Sequence, residues 1–278
     1  MGPGTKTVSG VLAVLSMFAL ALDARGDGGP IVFQSTETPP CWSSVMPSGG
    51  MGGEILRLLS DAAGLGYSIN YLPIARFRAS RAPYIVGDPG ILTTDRSRAI
   101  FPIGVFHSAY VYYQPRHPEL TIHSMKDLSG HTIGVMRGTL ENMSLFAQHR
   151  IKVEESDSTE SLMRMLRKGR IDVAVLVDLA GQHLVREMFP NEQDDFVQIV
   201  IRGSARPLAV MVDLDAPDGH VIARRYRQVL KITIQSHEYE GILRKYYGTG
   251  VEIGKARETV DRLVEFYASS WGNRDEEP

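Results

Sequence analysis

At 278 residues the chain is longer than one typical domain, and two modest domains are the starting expectation. Hydrophobic residues make up 43% and charged residues 22%, which excludes an intrinsically disordered chain. Lysine and arginine total 30 against 32 acidic residues, spread without a basic block, so neither nucleic acid nor an anionic membrane surface is an expected partner.

The N-terminus predicts export. A lysine precedes the apolar run Val11–Leu22, which is too short to span a bilayer and has the proportions of a signal peptide. Small residues allow cleavage after Ala21 or Ala24, and we assign residues 1–24 to the signal peptide. A buried N-terminal helix is the alternative, but the polar, glycine-rich stretch that follows favours removal. We therefore expect a mature protein in the periplasm.

Beyond this segment, short β-like runs alternate with helical patterns, which predicts an α/β architecture with mainly parallel sheets. The first predicted elements are a strand at Ile31–Phe33, a helix at Gly53–Ala63, a strand at Tyr67–Leu72, a helix at Ile74–Ser80 and a strand at His107–Gln114. Pro115 and Pro118 end this series, and a fresh βαβ pattern begins beyond them.

The second series predicts a strand at Thr132–Met136, a helix at Thr139–His149, a strand at Ile151–Val153, a helix at Ser158–Lys168 and a strand at Ile171–Val177. An extended segment at Arg206–Val212 is predicted to return to the first lobe, and helices at His220–Ser236, Glu238–Tyr247 and Ala256–Ser269 follow. The predicted organisation is a discontinuous lobe 1, residues 30–113 plus 207–278, and a continuous lobe 2, residues 114–206.

Gly138 and Thr139 lie between an apolar strand and a predicted helix. The free N–H groups at the start of such a helix face whatever lies beyond the carboxyl end of the strand, and they favour an anion. Capping of the helix by Thr139 without any ligand is the alternative.

Thr93 and Arg96 end an extended segment. The planar guanidinium of Arg96 matches a carboxylate through two parallel hydrogen bonds, and the Thr93 hydroxyl can donate to the same group. A surface helix entry with Arg96 paired to Asp95 or Glu54 is the alternative.

Asp178 follows the apolar strand at Ile171–Val177, at the end where α/β proteins bind ligands, and its carboxylate suits a ligand ammonium group. Helix capping is the alternative. Arg76 and Trp42 follow the first two strands and are weaker candidates for the same edge, equally compatible with surface and core positions.

Catalytic and metal-binding patterns are scarce. The histidines lie singly, no HExxH, GxSxG, CxxC or P-loop spacing occurs, and Cys41 has no neighbouring ligand or local histidine partner. We therefore assign no catalytic residue, and we expect no metal, no organic cofactor and no enzymatic activity.

Three segments resemble, in order, motifs of the bacterial extracellular solute-binding proteins of family 3, which include the amino acid-binding components of ABC importers. Gly90–Ile100 is similar to the family's G-I-T-x-x-R-x-x-x-x-F stretch, Lys126–Thr139 to DL-x-G-x-x-IGV-x-x-GT, and Leu166–Asp178 to L-x-x-G-R-x-D-A-x-x-x-D. The resemblance extends from about Ile31 to Tyr247.

This resemblance implies a type II periplasmic binding fold, with two α/β lobes joined by two crossing strands and a ligand cleft between them. By position it implies that Arg96 and Thr93 bind a ligand carboxylate from one lobe, Gly138 and Thr139 bind it from the other, and Asp178 holds an ammonium group. We therefore expect a monomeric protein that carries a small carboxylate-bearing ligand, an amino acid or a close relative, to an ABC permease of the inner membrane.

The chain departs from the family pattern where the pocket for the ligand side chain is expected. Cys41 and the region of Ile74 replace common aromatic residues, and Phe101–Gly104 replaces the usual phenylalanine-serine-proline stretch. Two alternatives stay open: an accessory or sensor protein of the same fold, and an enzyme resembling cyclohexadienyl or arogenate dehydratase, for which Glu141 and Glu155 are the available acids.

Overall fold

The structure is a computed structural model that describes residues 29–93, 97–139, 143–248 and 251–271. The predicted signal peptide, with its cleavage sites after Ala21 or Ala24, lies outside the described residues. From Ile31 onward the chain belongs to one unit, and its described strands form two sheets, each covered by helices.

The sheet of lobe 1 has the strand order β2-β1-β3-β10-β4. Its strands are β1 (Ile31–Thr36), β2 (Tyr67–Leu72), β3 (Tyr84–Gly87), β4 (Arg98–Phe106) and β10 (Arg206–Asp213). Strands β2, β1 and β3 are parallel, with Ile31 opposite Tyr67, and β10 runs antiparallel between β3 and β4. Buried side chains extend along β10 from Pro207 onward, as a central strand requires.

The sheet of lobe 2 repeats this plan in the order β7-β6-β8-β5-β9. Its strands are β5 (Ser108–Tyr113), β6 (Thr132–Met136), β7 (Lys152–Ser156), β8 (Val173–Val177) and β9 (Phe196–Val200). Strands β7, β6 and β8 are parallel, and β5 is antiparallel to both β8 and β9. The prediction of mainly parallel sheets is wrong in this respect: both sheets are mixed, because β10 in the first sheet and β5 in the second run antiparallel to the strands on either side of them.

The helices are α1 (Gly50–Ala63), α2 (Ile74–Arg78), α3 (Met143–Gln148), α4 (Thr159–Arg167), α5 (Asp178–Met188), α6 (Gly219–Gln235), α7 (His237–Tyr247) and α8 (Val251–Tyr267). Helix α1 packs against α6 and α7 on lobe 1, and α4 buries its predicted apolar face, Leu162, Met163 and Leu166, in lobe 2. No helix within the described ranges is long and apolar enough to cross a membrane.

The edge strand β4 is covered by the C-terminal segment. Helix α8 packs along β4, and beyond it the Trp271 indole Nε1 donates to the carbonyl of Ile100 at 2.6 Å. The Trp271 ring stacks on Phe101 with centroids 5.3 Å apart. This cover shields a strand edge that would otherwise be open to pairing with another chain.

The chain passes between the sheets at His107 and again at residues 201–205. The predicted strand at His107–Gln114 corresponds to β5, but it pairs with β8 and β9, so residues 108–113 lie in the second sheet and not in the first. The prolines at 115 and 118 mark the end of β5, whereas the crossing has no turn signal because β4 runs almost directly into β5.

Candidate functional site

The carboxyl ends of the parallel strands bring polar groups of the two lobes together beside α2. Arg78, at the end of α2, donates from Nη1 to the backbone carbonyl of Gly138, which follows β6 in lobe 2. The carbonyl of Arg78 accepts from Thr93, at 2.9 Å from the backbone nitrogen and 3.0 Å from Oγ1. Thr93 therefore supports the residue that reaches the other lobe.

The turn after β6 carries its own network of charged partners. The Gly138 N–H donates to Glu155 Oε1 at 3.3 Å, and Arg137 binds Glu155 Oε2 at 3.2 Å and Asp157 Oδ1 at 2.7 Å. The Thr139 hydroxyl donates to the Met136 carbonyl at 2.7 Å. A protein carboxylate therefore occupies the N–H that the sequence analysis predicted for a ligand carboxylate.

The start of the predicted helix at Thr139–His149 stays a prediction. Within the described residues α3 covers Met143–Gln148, and residues 140–142 lie outside the described residues. Gly138 adopts a φ of 73°, which favours glycine, and a Cβ there would lie 3.3 Å from Arg78 Nη1. Gly138 thus allows the close approach of the two lobes.

We refer to these exposed or half-exposed polar residues as the cleft rim. Its members are Arg76, Arg78, Thr93, Gly138, Thr139 and Glu155. Arg76 is exposed on α2, and its side chain has no ion-pair or hydrogen-bond partner among the residues that the structure describes. Arg96, the strongest sequence candidate for a carboxylate, lies outside the described residues, so its role stays a prediction.

Asp178 begins α5 and is tied to the first crossing. Its Oδ1 accepts from the His107 N–H at 3.2 Å and the Leu179 N–H at 2.8 Å, and its Oδ2 lies 3.2 Å from His107 Nδ1. The Asp178 N–H in turn donates to the His107 carbonyl at 2.9 Å. Its side chain is 9% exposed, and Leu179 packs into the core of lobe 1. In this arrangement Asp178 anchors the start of α5 to the crossing.

The second crossing is fastened in a similar way. Arg206 Nε pairs with Asp88 Oδ2 at 2.8 Å, and Asp88 Oδ1 accepts from the Gly90 N–H at 2.9 Å. Burial raises the pKa of Asp88, and the attraction of Arg206 works against that rise. Ser204 Oγ accepts from the Ser108 N–H at 3.0 Å and so links the two crossings. We refer to the side chains that fasten the two crossings as the hinge cluster. Its members are Asp88, His107, Asp178, Ser204 and Arg206.

Trp42 is a core residue, which corrects its prediction as a ligand contact. Its side chain is buried in the core of lobe 1, and a Cβ added at Gly52 on α1 would lie 2.6 Å from the indole ring. The indole therefore fills the space over a glycine of α1. Trp42 follows the first strand, and residues at that strand end also pack into the core of lobe 1.

Cys41, next to Trp42, is equally enclosed. Burial raises the pKa of its thiol to about 12, and the negative charge of Asp178 adds to the rise. The thiol stays protonated at physiological pH, and a protonated, buried thiol is a poor nucleophile. The charged and hydrogen-bonding groups of the cleft rim support reversible binding.

Sequence reasoning missed Arg78, His107, Asp88 and Arg206. Arg78 follows Arg76 by two residues on the same short helix, and this repeated cation was the available signal for a charged rim. The hinge residues carry no comparable signal, because their partners are distant in the sequence.

Comparisons with known proteins agree with this geometry at the level of the fold. The sequence matches no protein-family model and no curated protein sequence. The structure is similar to the GluR0 ligand-binding core in complex with L-glutamate, with a TM-score of 0.61 and 13% identity, covering 80% of this chain and 99% of that one. The chain has the type II periplasmic binding fold.

Two further similar structures are a binding protein and a sensor domain. The arginine-, lysine-, histidine-binding protein ArtJ from Geobacillus stearothermophilus gives a TM-score of 0.58 at 16% identity, covering 82% of this chain and 99% of that one. A histidine kinase sensor domain with similarity to periplasmic binding proteins gives 0.59 at 17% identity, covering 79% and 96%. The predicted two-lobed α/β fold is therefore confirmed.

Proposed function

We propose that this protein is an exported, monomeric solute-binding protein of family 3 that captures a small carboxylate-bearing ligand, an amino acid or a close relative, between its lobes for delivery to an ABC importer. The observation that carries the proposal is the contact between Arg78 of lobe 1 and the Gly138 carbonyl of lobe 2. A cation that already bridges the two lobes is placed to hold a ligand that both lobes contact.

The rim of lobe 1 is suited to the ligand carboxylate. Arg76 is exposed, and Arg78 donates to a neutral backbone carbonyl. A ligand carboxylate would give each of these two arginines a stronger, charge-assisted acceptor. We assign the carboxylate to Arg76 and Arg78, with Arg96 and Thr93 as the sequence predicts. Each charge-assisted hydrogen bond contributes about 1.5 to 3 kcal/mol.

Two protein carboxylates compete for the ligand ammonium group. Asp178 is the sequence prediction, but its oxygens already accept from His107 and Leu179, and its side chain is 9% exposed. The Glu155 oxygens also have partners, Arg137 and the Gly138 N–H, but this side chain is 34% exposed and lies beside the Gly138 whose carbonyl meets Arg78. We therefore favour Glu155, because an α-amino acid holds its two charged groups close together.

Binding on both lobes couples capture to closure. Ligand contacts with Arg78 on one side and with Thr139 and Glu155 on the other are all made only when the lobes are together. The ligand thus stabilises the closed form by its differential affinity for it.

The first test is a thermal-shift screen of the protein without residues 1–24 against amino acids and small carboxylates. A ligand at a hundredfold excess over its Kd stabilises the folded state by about 2.7 kcal/mol, which raises the melting temperature. No response across the panel would contradict the proposed ligand class.

Variants then assign the groups by isothermal titration calorimetry with the ligand found. We expect Arg76→Ala and Arg78→Ala each to weaken binding at least tenfold, with Arg81→Ala, an exposed arginine of the same lobe, as the matched control. Glu155→Gln and Asp178→Asn separate the two carboxylates: the variant that loses affinity identifies the partner of the ammonium group. Unchanged affinity in both arginine variants would reject the rim as the site.

The similarity to a histidine kinase sensor domain supports a second candidate, in which the same capture step serves signalling. The two candidates differ in one measurement. Cells that lack this protein lose uptake of its ligand if it serves an importer and retain that uptake if it serves only a sensor. Turnover of prephenate or arogenate by the purified protein would instead favour the dehydratase alternative.

A further inference from the structure

A cluster of two imidazoles and a carboxylate lies in lobe 2, away from the cleft rim. His131 immediately precedes β6 and Asp172 immediately precedes β8, while His117 follows the turn after β5. These positions are at the amino ends of the parallel strands, whereas Gly138 follows the carboxyl end of β6. At about 3.3 Å per residue, the length of β6 places the cluster about 16 Å from the rim.

The ligand atoms of the three side chains are spaced as a metal ion requires. His117 Nε2 lies 3.1 Å from Asp172 Oδ1, and His131 Nδ1 lies 3.8 Å from Asp172 Oδ2. All three side chains offer an atom within 4.8 Å of the others. Zinc bonds of about 2.0 to 2.2 Å in tetrahedral geometry separate neighbouring ligand atoms by about 3.4 Å, which falls between the two distances.

The surroundings hold the carboxylate and leave one imidazole nitrogen without a hydrogen bond. Asp172 Oδ2 accepts from the Thr132 N–H at 2.7 Å, and the Asp172 N–H donates to the Thr132 carbonyl at 2.8 Å. His117 Nε2 is enclosed, and despite its closeness to the carboxylate it has no partner in hydrogen-bond geometry among the described residues. Fixing of a ligand by such outer hydrogen bonds is usual at metal sites.

We propose that His117, His131 and Asp172 bind a divalent transition-metal ion, with Zn²⁺ as the best match to two imidazoles and one carboxylate. The side chains are 18%, 28% and 26% exposed, so solvent reaches the cluster beside the enclosed His117 Nε2, and a water molecule can complete the coordination of the ion. Bound here, the ion joins the segment after β5 to the starts of β6 and β8. Sequence analysis predicted no metal because these ligands are far apart in the chain.

The test is calorimetric titration of the tag-free protein, without residues 1–24, with ZnCl₂. We expect one Zn²⁺ per chain with micromolar or tighter affinity, and at least tenfold weaker binding for His117→Gln and for His131→Gln. His123→Gln is the matched control, since His123 is an exposed histidine of the same lobe outside the cluster. We expect that variant to bind Zn²⁺ as the wild type does.

A spectroscopic measurement on the wild type does not depend on how the variants fold. Co²⁺ bound at this site should show the strong visible d–d bands of a tetrahedral centre, and one equivalent of Zn²⁺ should abolish them. Absence of a stoichiometric Zn²⁺ site, or equal Zn²⁺ affinity in folded His117→Gln and His131→Gln, would overturn the proposal. A Co²⁺ spectrum with only the weak bands of the hydrated, octahedral ion would also overturn the proposal.

Discussion

Polar side chains of the hinge cluster and of the cleft rim stand in opposite situations, although both lie at the junction of the lobes. In the hinge cluster the Asp178 and Asp88 carboxylates are buried and surrounded by donors of the protein itself. On the rim, Arg76 and Thr139 are exposed, and Arg78 donates to a neutral carbonyl. Buried, internally bonded groups fix geometry, whereas exposed groups remain available to a ligand.

This contrast corrects the simplest interpretation of Asp178, the acid that follows β8. A carboxylate at the carboxyl end of a parallel strand has a favourable position for ligand binding. Asp178 has that position, but its hydrogen bonds go to the crossing at His107. Position in the fold and availability of the charge are separate properties, and the following predictions measure each.

The largest expected effect is that of Asp178→Ala on stability. The substitution leaves the part-buried N–H of His107 and the buried N–H of Leu179 without their acceptor. With about 1 kcal/mol for the first and about 1 to 3 kcal/mol for the second, we expect the free energy of unfolding to fall by about 2 to 4 kcal/mol. Urea denaturation measures it. Asp157→Ala is the control, because that carboxylate is 83% exposed and its pair with Arg137 should matter by less than about 1 kcal/mol. Equal losses in the two variants would contradict the contrast.

Arg206→Met should come next, and its effect should depend on pH. Burial already raises the pKa of Asp88 above its ordinary 3.8, and loss of Arg206 raises it further. A raised pKa means that Asp88 holds its proton more tightly in the folded state than in the unfolded state. Protonation of Asp88 therefore stabilises the folded state fully below pH 3.8, and this stabilisation is lost as the pH rises through the folded-state pKa. We expect a loss of about 1 to 3 kcal/mol at pH 7 and a smaller loss at pH 4.

Urea midpoints of wild type and Arg206→Met across this pH range provide the measurement. The double variant Arg206→Met, Asp88→Asn removes the charge and should flatten the added dependence. Parallel curves for wild type and the single variant would show that Arg206 does not act through Asp88.

Ser204→Ala should cost about 1 kcal/mol, because it removes one half-buried hydroxyl that accepts from the Ser108 N–H. The same substitution loosens the link between the two crossings. Thermal unfolding measures the first effect, and the ligand affinity of the folded variant measures the second. A change in affinity with unchanged stability would place Ser204 on the rim side of the comparison.

The smallest effect on stability is expected from Thr139→Ala, at less than about 0.5 kcal/mol, since its hydroxyl makes only a local turn bond to Met136 on the surface. Ligand affinity should nevertheless fall, because Thr139 is assigned to the ligand. Thr259→Ala is the matched control: that hydroxyl also bonds a local carbonyl, of Lys255, on an exposed helix. Both variants should melt as the wild type does, and only Thr139→Ala should bind more weakly.

Regular local signals predicted much of the fold. The strands at Tyr67–Leu72 and Thr132–Met136 have the bounds that the sequence analysis assigned, and the apolar face of α4 is buried as its spacing indicates. These elements carry alternating or helical periodicity bounded by glycine or proline. The crossing at His107 was not predicted, because β4 and β5 form an almost continuous extended run and the change of sheet is decided by their pairing partners.

The candidate site was predictable in composition and not in connectivity. Thr93, Gly138 and Thr139 were found from motifs and do lie together on the rim, but the sequence does not show that Thr93 bonds the carbonyl of Arg78. The same holds for Glu155, considered only as an available acid, which binds the Gly138 N–H. Trp42 illustrates the reverse error, since an aromatic after a strand can equally fill the core.

The single cysteine, Cys41, is an internal probe of local opening. Because the Cys41 thiol is enclosed and protonated, a thiol reagent can modify it only during excursions that expose the core of lobe 1. The labelling rate therefore reports how often the core of lobe 1 opens locally. Asp178 is close enough to influence the thiol, so comparing the labelling rates with and without ligand shows whether ligand binding at the rim reduces local opening near the hinge cluster.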